Sequence, residues 1–370
     1  MKQSSSRFVD VSGQPARPQT AWSPIIVTGE EIAAEIDRLA SAPRPANGRR
    51  ASLVVHPMAT APGRGFAPGI DVTVNVVNPG ERTTNLRKNS NMLEICIAGS
   101  GIATVAGRDI RVSEKDVWNT PSMQVHSYRN DGQTPWVRLS YSNAPLLEKL
   151  EVHYQEEFDG PSPPADLKTR RAESSAAQKS ARDLAMRKQL TEEGAWLLGY
   201  EYLIDIDVIE SRSLHWPWEK VREYLPEVNQ LDLAYNGRRL YVLYNPATER
   251  RIGTTHSFFA TLSSTPPNSH HVPHRHSSSA INYYLRGHGY SYVDGERLTW
   301  KAGDLLLSAP GWVMHAHHTV DEHTSALTVQ DHPLQIAMES LIWQERIQEP
   351  ILTLGSQKGF ESNRAELMKA

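Results

Sequence analysis

The chain is predicted to be all-β: two tandem jelly-roll barrels of the double-stranded β-helix type, with short helical additions. Two observations carry that prediction. Short apolar runs of strand length are cut by turn glycines and prolines along most of the chain, and one set of landmark residues occurs twice in the same order.

In chain order, residues 1–50 are rich in Pro, Ala, Ser and Arg and form an arm with one short helix. That helix is read over "TGEEIAAEIDRLA" with Thr28 as its N-cap. Residues 51–155 follow as a β unit with "DVTVNVV", "MLEICIA", "IATVAG" and "WVRLSYS", punctuated by Pro79-Gly80 and by Gly99 and Gly101. Residues 156–210 change character to charged and Ala-rich and read as a helical or extended linker. A second β unit spans 211–345 and 346–370 is a tail; the C-terminal "LIWQERIQEPILTLGSQKGFESNRAELMKA" is read as a closing helix plus a loose tail. The repeat aligns Gly99 with Gly287, Gly101 with Gly289, Gly107 with Gly295 and Asp116 with Asp304 at one constant offset. One inserted residue later, Pro121 aligns with Pro310 and His126 with His315. Each copy is a series of strands joined by Gly-rich turns and ending in P-x-x-x-x-H, which is the pattern of a small jelly roll.

Totals narrow the function classes. At 370 residues the chain is long enough for two domains. A net charge of −3 makes no electrostatic case for nucleic acid or an anionic membrane, and no apolar run reaches spanning length. The first residues lack the apolar region of a secretory signal, and the single cysteine, Cys96, excludes disulfide frameworks and cysteine-cluster zinc sites. The expectation is a soluble, cytoplasmic protein whose metal, if any, is held by His or carboxylate. Eleven of the fifteen histidines fall between His256 and His332, which locates the search.

There, "HHVPHRHSSSAINYYLRGHGYSYVDGE" places His274 and His276 on one face of a strand, because side chains alternate. "PGWVMHAH" offers His315 as a third ligand, with His317 on the same face. Three neutral imidazoles can hold a divalent transition metal while leaving positions open. A solvated histidine-rich loop is the bland alternative; the shared Gly/Asp/Pro scaffold and the repeat register favour the metal. His270 and His271 are read as rim, and His318, His323 and His332 as surface or structural. Trp216 and Trp218 are read equally as barrel-mouth or packing residues.

These motifs resemble the cupin superfamily. "HRHSSSAINYYLRG" follows its first motif except that Ala280 or Ile281 stands where an acidic ligand is usual, and "GDLLLSAPGWVMH" follows the second. The three-His set, with "HWPWEKVREYL" upstream, is similar to the gentisate 1,2-dioxygenase family, which includes salicylate and 1-hydroxy-2-naphthoate dioxygenases. That resemblance implies a bicupin that binds Fe(II) through His274, His276 and His315 and cleaves a hydroxylated or amino-hydroxylated aromatic with O2. It also implies a homodimer or homotetramer. His317 would relay a proton, and Asn282, Ser278, Tyr284 and Trp312 would shape the substrate site. Three departures stand out. The family carries its triad in the first cupin, but here Leu86 and Lys88 of "NLRKNSN" replace two ligands and leave only His126. Asn282 stands where the family has an arginine for the substrate carboxylate, which puts a salicylate- or gentisate-like acid in doubt unless Arg251 or Arg286 serves. Ser278 stands where the family has Gln. The alternatives are another metal-cupin chemistry (isomerase, hydrolase or decarboxylase) and a non-catalytic ligand-binding bicupin.

Overall fold

The repeated glycines set the turns from which both units are built. Ala106-Gly107 and Asp294-Gly295 both take positive φ at both residues. This left-handed pair closes two-residue hairpins with the twist of the flanking strands, pairing Val105 with Arg108 and Val293 with Glu296. Gly101 and Gly289 serve a different need. A Cβ on Gly101 would lie 2.1 Å from the Trp136 ring, and one on Gly289 would lie 2.6 Å from Trp300. In each copy a glycine therefore leaves room for an indole to cover the backbone.

The structure, a computed structural model, describes residues 7–160, 187–198, 212–225 and 239–355. Its two units have one topology. In the first, a six-stranded sheet runs in the order His215–Trp216, Val117–Thr120, Met92–Ala98, Trp136–Ser142, Asp71–Val77, Arg50–Val54. In the second, the order is Ile25–Val27, Leu305–Pro310, Ser279–Arg286, Thr324–Gln330, Phe259–Thr265, Arg239–Val242. Each sheet is closed into a barrel by smaller sheets, among them Gly101–Val105 with Arg108–Val112 and His288–Val293 with Glu296–Lys301 and His315–Thr319. The result is the all-β bicupin architecture that the repeat predicts.

The edge strands are exchanged. Ile25–Val27, from the arm preceding the first unit, pairs with Leu305–Leu307 of the second; His215–Trp216, preceding the second, pairs with Val117–Trp118 of the first. The repeated aspartates tie each crossing down. Asp304 accepts the Lys301 N–H within its corner and the Gly29 N–H, at 2.7 Å, from the start of the helix Gly29–Ser41. Asp116 accepts the Ser113 N–H and, at 2.7 Å, the Trp218 N–H, and His215 Nε2 joins it at 3.1 Å. Burial pushes the Asp116 carboxyl up, but the hydrogen bonds from His215, Trp218 and Ser113 outweigh it and leave the pKa below the ordinary value. Thr28 caps its helix with a full capping box: its side chain accepts the Glu31 N–H, and Glu31 accepts the Thr28 N–H.

Alternation decides what each sheet face covers. Ile281, Tyr283, Leu305, Leu307, Leu327 and Val329 of the second unit join Val72, Val74, Leu93, Ile95, Val117 and Leu139 of the first in one continuous core. The outer faces of the two large sheets therefore pack on each other. The residues between them, such as Glu94 and Arg138 or Asn282 and Thr328, face the barrel interiors.

One sequence expectation changes here, and two readings that were left open are narrowed. Ile342–Gln344, within the stretch read as a closing helix plus tail, is a strand paired with Arg275–His276, because its alternating residues Leu341 and Trp343 are buried against the second unit. Gln155–Phe158 is a strand on Asn85–Lys88, and Arg187–Gln189 pairs with Trp196–Leu198, so the described parts of the 156–210 segment are extended rather than helical. The rest of that segment, and the tail beyond residue 355, lie outside the described residues. Trp216 and Trp218 pack, partly buried, against the shared core.

Candidate metal centre

A tight antiparallel bridge builds the site. His274 and His315 exchange backbone hydrogen bonds at 3.0 and 2.9 Å, which sets their rings 4.4 Å apart. Strand alternation across Arg275 returns His276 to the same side, its ring 4.8 Å from that of His315. The ligand nitrogens of the three histidines all lie within 4.8 Å of one another.

The tautomers are fixed by the backbone. His274 Nδ1 meets the Val272 carbonyl at 3.1 Å, His276 Nδ1 the Ser278 carbonyl at 2.8 Å, and His315 Nδ1 the Val313 carbonyl at 2.9 Å. A carbonyl only accepts, so each Nδ1 donates and each lone pair sits on Nε2. This is the arrangement a metal-binding imidazole needs, with its second nitrogen held by an acceptor. Burial, followed by the neighbouring His332 and His274, holds His276 well below the usual imidazole range, so it is neutral without competition from protons. Ala280, 3% exposed, stands in the strand beside the triad and brings no carboxylate. Three neutral nitrogen donors fit a divalent transition metal with open positions.

The other sequence-derived residues surround this point unequally. Asn282 faces the barrel interior, but both ends of its amide are used within the wall: Nδ2 donates to Ser308 Oγ at 2.6 Å, and Oδ1 accepts from Thr328 Oγ1 at 2.6 Å. Tyr284 lies flat on Trp300, ring centroids 3.8 Å apart, within a small apolar cluster with Leu306 and Ala326. Trp312 sits under the Arg275 guanidinium at 4.4 Å. His317 is 5.7 Å from His315 ring to ring, and its Nδ1 meets Ser291 Oγ at 2.8 Å. The same oxygen accepts from Trp300 Nε1 at 3.0 Å. Among the rim candidates, His270 and His318 are joined Nδ1 to Nδ1 at 2.9 Å, and the His271 N–H donates to the His317 carbonyl. Arg251 binds His256 Nδ1 at 3.1 Å, and Arg286 is exposed at the end of its strand.

Sequence reasoning missed His332. It is 5% exposed, and its Nδ1 meets Ser278 Oγ at 2.6 Å while the same Oγ lies 2.9 Å from His276 Nδ1. Burial pulls its pKa down to about 3. The repeat held a signal: His332 aligns with Ala144, so an imidazole has been placed where the sister copy needs only a methyl group.

The first barrel shows what replaces a metal. Lys88 stands at the place of His276, and Leu86, at that of His274, pairs with His126. His126 keeps the backbone contact of its counterpart, Nδ1 to the Gln124 carbonyl at 3.1 Å, and burial, then Lys88, lowers its pKa to about 3. Deeper in, Glu94 (counterpart of Asn282) accepts from Arg138 at 2.6 Å, Tyr128 Oη at 2.6 Å and Ser140 at 2.9 Å. One barrel gathers three imidazoles; the other is filled by an ion pair.

The family profile described as "AraC-like ligand binding domain" matches residues 259–357. Gentisate 1,2-dioxygenase 1 of Aquipseudomonas alcaligenes is 31% identical over 153 residues, covering 41% of this chain and 38% of that protein. A 5-nitrosalicylic acid 1,2-dioxygenase of Bradyrhizobium sp. is 29% identical, covering 37% of this chain and 68% of that protein. Salicylate 1,2-dioxygenase of Pseudoaminobacter salicylatoxidans, crystallised with gentisate, superposes over 90% of this chain and 88% of its own with a TM-score of 0.71 at 17% identity. The match to the first of these spans well under half of that relative's length, and the structural likeness extends over both barrels.

Proposed function

We propose that this bicupin, a homologue of the gentisate-type ring-cleaving dioxygenases, is itself an Fe(II)-dependent dioxygenase that opens a hydroxylated aromatic ring. The observation that carries the reading is the neutral triad: three imidazoles converge, each with Nδ1 tied to a backbone carbonyl, and among the described residues no carboxylate accompanies them. His274, His276 and His315 would hold the iron, which when bound supplies adjacent positions for an ortho-hydroxylated aromatic and for O2 and lowers the phenol's pKa.

The chain's own groups then orient and protect. The bridge between His274 and His315 fixes the angle at which two ligand rings meet, so the substrate approaches one geometry rather than several. Ser291 Oγ has two acceptor positions; Trp300 Nε1 uses one, and with His317 Nδ1–H donating to the other, the lone pair of His317 would lie on Nε2. Beside the triad, that nitrogen is suited to hold or pass the phenolic proton. Asn282 offers a neutral wall where an arginine would offer charge. With its amide committed to Ser308 and Thr328, it favours substrates that do not depend on a carboxylate grip at this position. The preferred substrate class is a phenol, aminophenol or larger hydroxylated aromatic.

Anaerobic loading with Fe(II), followed by oxygen uptake across a panel of such aromatics, tests the proposal. The expected result is oxygen consumption with at least one ortho-hydroxylated or aminophenolic ring, coupled to loss of aromatic absorbance. Tight iron binding with no oxygen uptake on any aromatic would refute it and leave a non-catalytic ligand-binding bicupin.

A further inference from the structure

Three consecutive serines follow the metal-facing strand, and each has a separate task. Ser277 Oγ donates to Gln335 Oε1, and the Ser279 N–H donates to Asp331 Oδ1 at 2.7 Å. Both acceptors belong to the turn and helix that begin at Asp331, with the helix spanning His332–Ala337. The segment that carries His276 is thus stapled on both sides of Ser278 to one short helix. Between the staples, Ser278, fully buried, has its Oγ 2.9 Å from His276 Nδ1 and 2.6 Å from His332 Nδ1. The His332 ring packs against Phe259 at 5.0 Å and against His276 at 5.2 Å.

The order of donors follows from chemistry. If His276 offers Nε2 to a metal, its only proton is on Nδ1, and that proton is shared between the Ser278 carbonyl and hydroxyl oxygen. The hydroxyl, accepting there, has its own proton to give to His332 Nδ1. We infer that Ser278 and His332 are positioning residues for the metal centre, a hydrogen-bond chain that orients His276 and increases its strength as a ligand. His276 has this side-chain chain in addition to the backbone carbonyl at its Nδ1. Three features set it apart from ordinary packing. The contacts are short and buried, they end on a second imidazole, and the sister barrel has Ser90 and Ala144 at the aligned positions with Lys88 in place of the ligand. The serine persists in both copies, whereas the imidazole appears only where a metal-binding triad does.

The inference rests on the reading of the triad as a metal site, and the test separates the two. Co(II) affinity is measured by competition with a chromophoric chelator, and the visible ligand-field absorption of the Co(II) protein is recorded. Variants are Ser278→Ala, His332→Phe and His332→Asn, each also melted without metal. Loss of an outer partner of a ligand typically weakens metal binding by about 10- to 100-fold. Ser278→Ala and His332→Phe are expected to fall in that range and to shift the absorption bands. His332→Asn, whose side-chain oxygen can accept from Ser278, is expected to recover most of the affinity. If both deleting variants bind Co(II) as the parent does, with an unchanged spectrum, the positioning role is wrong. A lower metal-free melting point with unchanged affinity also overturns it, by making the pair purely structural. If the parent chain takes up no Co(II) or Fe(II), it is the metal reading that fails. Should His332→Phe not fold, Ser278→Ala, which removes a single oxygen, decides alone.

Discussion

Replacing Arg138 by Met should be among the most damaging single changes in the molecule, although it lies in the barrel without the triad. Glu94 is 0% exposed and Arg138 3%, and their contact is 2.6 Å. The guanidinium also lies 3.5 Å from the centre of the Tyr128 ring. Methionine fills much of the arginine's volume but leaves the Glu94 carboxylate with only two neutral donors, Tyr128 and Ser140. Stranding one partner of a buried pair costs about 3–5 kcal/mol, a large part of the roughly 5–15 kcal/mol that holds a domain together. Urea unfolding, followed by tryptophan fluorescence that includes the adjacent Trp136, reads the loss directly. The second barrel indicates how to repair it, because it places neutral Asn282 and Ala326 at the positions of Glu94 and Arg138 and satisfies the amide with hydroxyls. Glu94→Gln with Arg138→Met should therefore recover most of the stability. A cost below about 1 kcal/mol for the single variant, or a double variant no better than the single, would refute the reasoning.

Metal analysis of the reconstituted chain should give one equivalent per chain, because Leu86 and Lys88 replace two of the three imidazoles in the first barrel. His276→Ala should abolish binding, and two equivalents would contradict the assignment of the sites. Asp304→Ala and Asp116→Ala each remove the acceptor for a helix-starting N–H and for a corner N–H. Each is expected to cost about 1–2 kcal/mol in denaturant unfolding, as lost caps do; a neutral outcome would mean that the exchanged arms are held by packing alone. Burial raises the Asp331 pKa from its ordinary 3.8 to about 6. A folded-state pKa above the unfolded one gives a contribution that is complete below 3.8 and is lost as pH rises through about 6. The stability of Asp331→Asn relative to the parent should therefore increase across that window, and a pH-independent difference would show that the carboxyl titrates normally.

Much of this was legible in the sequence for a physical reason. Repeat glycines and aspartates do jobs that few other residues can do: Gly107 and Gly295 take left-handed backbone, and Asp116 and Asp304 each accept two backbone N–H groups. Such positions leave a fixed spacing, and that spacing delivered the duplicated barrel and His274, His276 and His315 together. What stayed hidden depended on contacts between residues distant in the chain. Nothing local announces that Ile25–Val27 completes the sheet of the other unit, since a three-residue apolar run fits many places. Parity placed Asn282 inside the barrel, but whether its amide faces ligand or wall is decided by Ser308 and Thr328 on neighbouring strands. His332 reads as one more polar residue after the last strand until the turn at Asp331 brings it under Ser278. The strand at Ile342–Gln344, inside the stretch read as helix plus tail, stayed hidden because a short apolar run is helix- or strand-like until pairing with Arg275–His276 decides.

The exchanged edges explain why a chain that uses one triad keeps two barrels. Phe258, Ala260, Ile281, Leu305, Leu307 and Leu327 of the metal-facing unit are at most 1% exposed, and their cover is the large sheet of the other unit. Without that cover these side chains would form an apolar face larger than soluble monomers normally present to water. The edge beside Leu305–Leu307 would also lose its partner, exposing the N–H and C=O groups of the strand that pairs directly with the one carrying Ala280 and Asn282. Selection on the first barrel can therefore relax at Leu86 and Lys88, which face its interior, but not at Val72, Leu93 or Leu139, which face its neighbour. A duplicated fold with a shared core separates these two pressures by strand parity alone. Alternate residues of the same strands keep the structure, and the residues between them are free to hold a metal in one copy and an ion pair in the other.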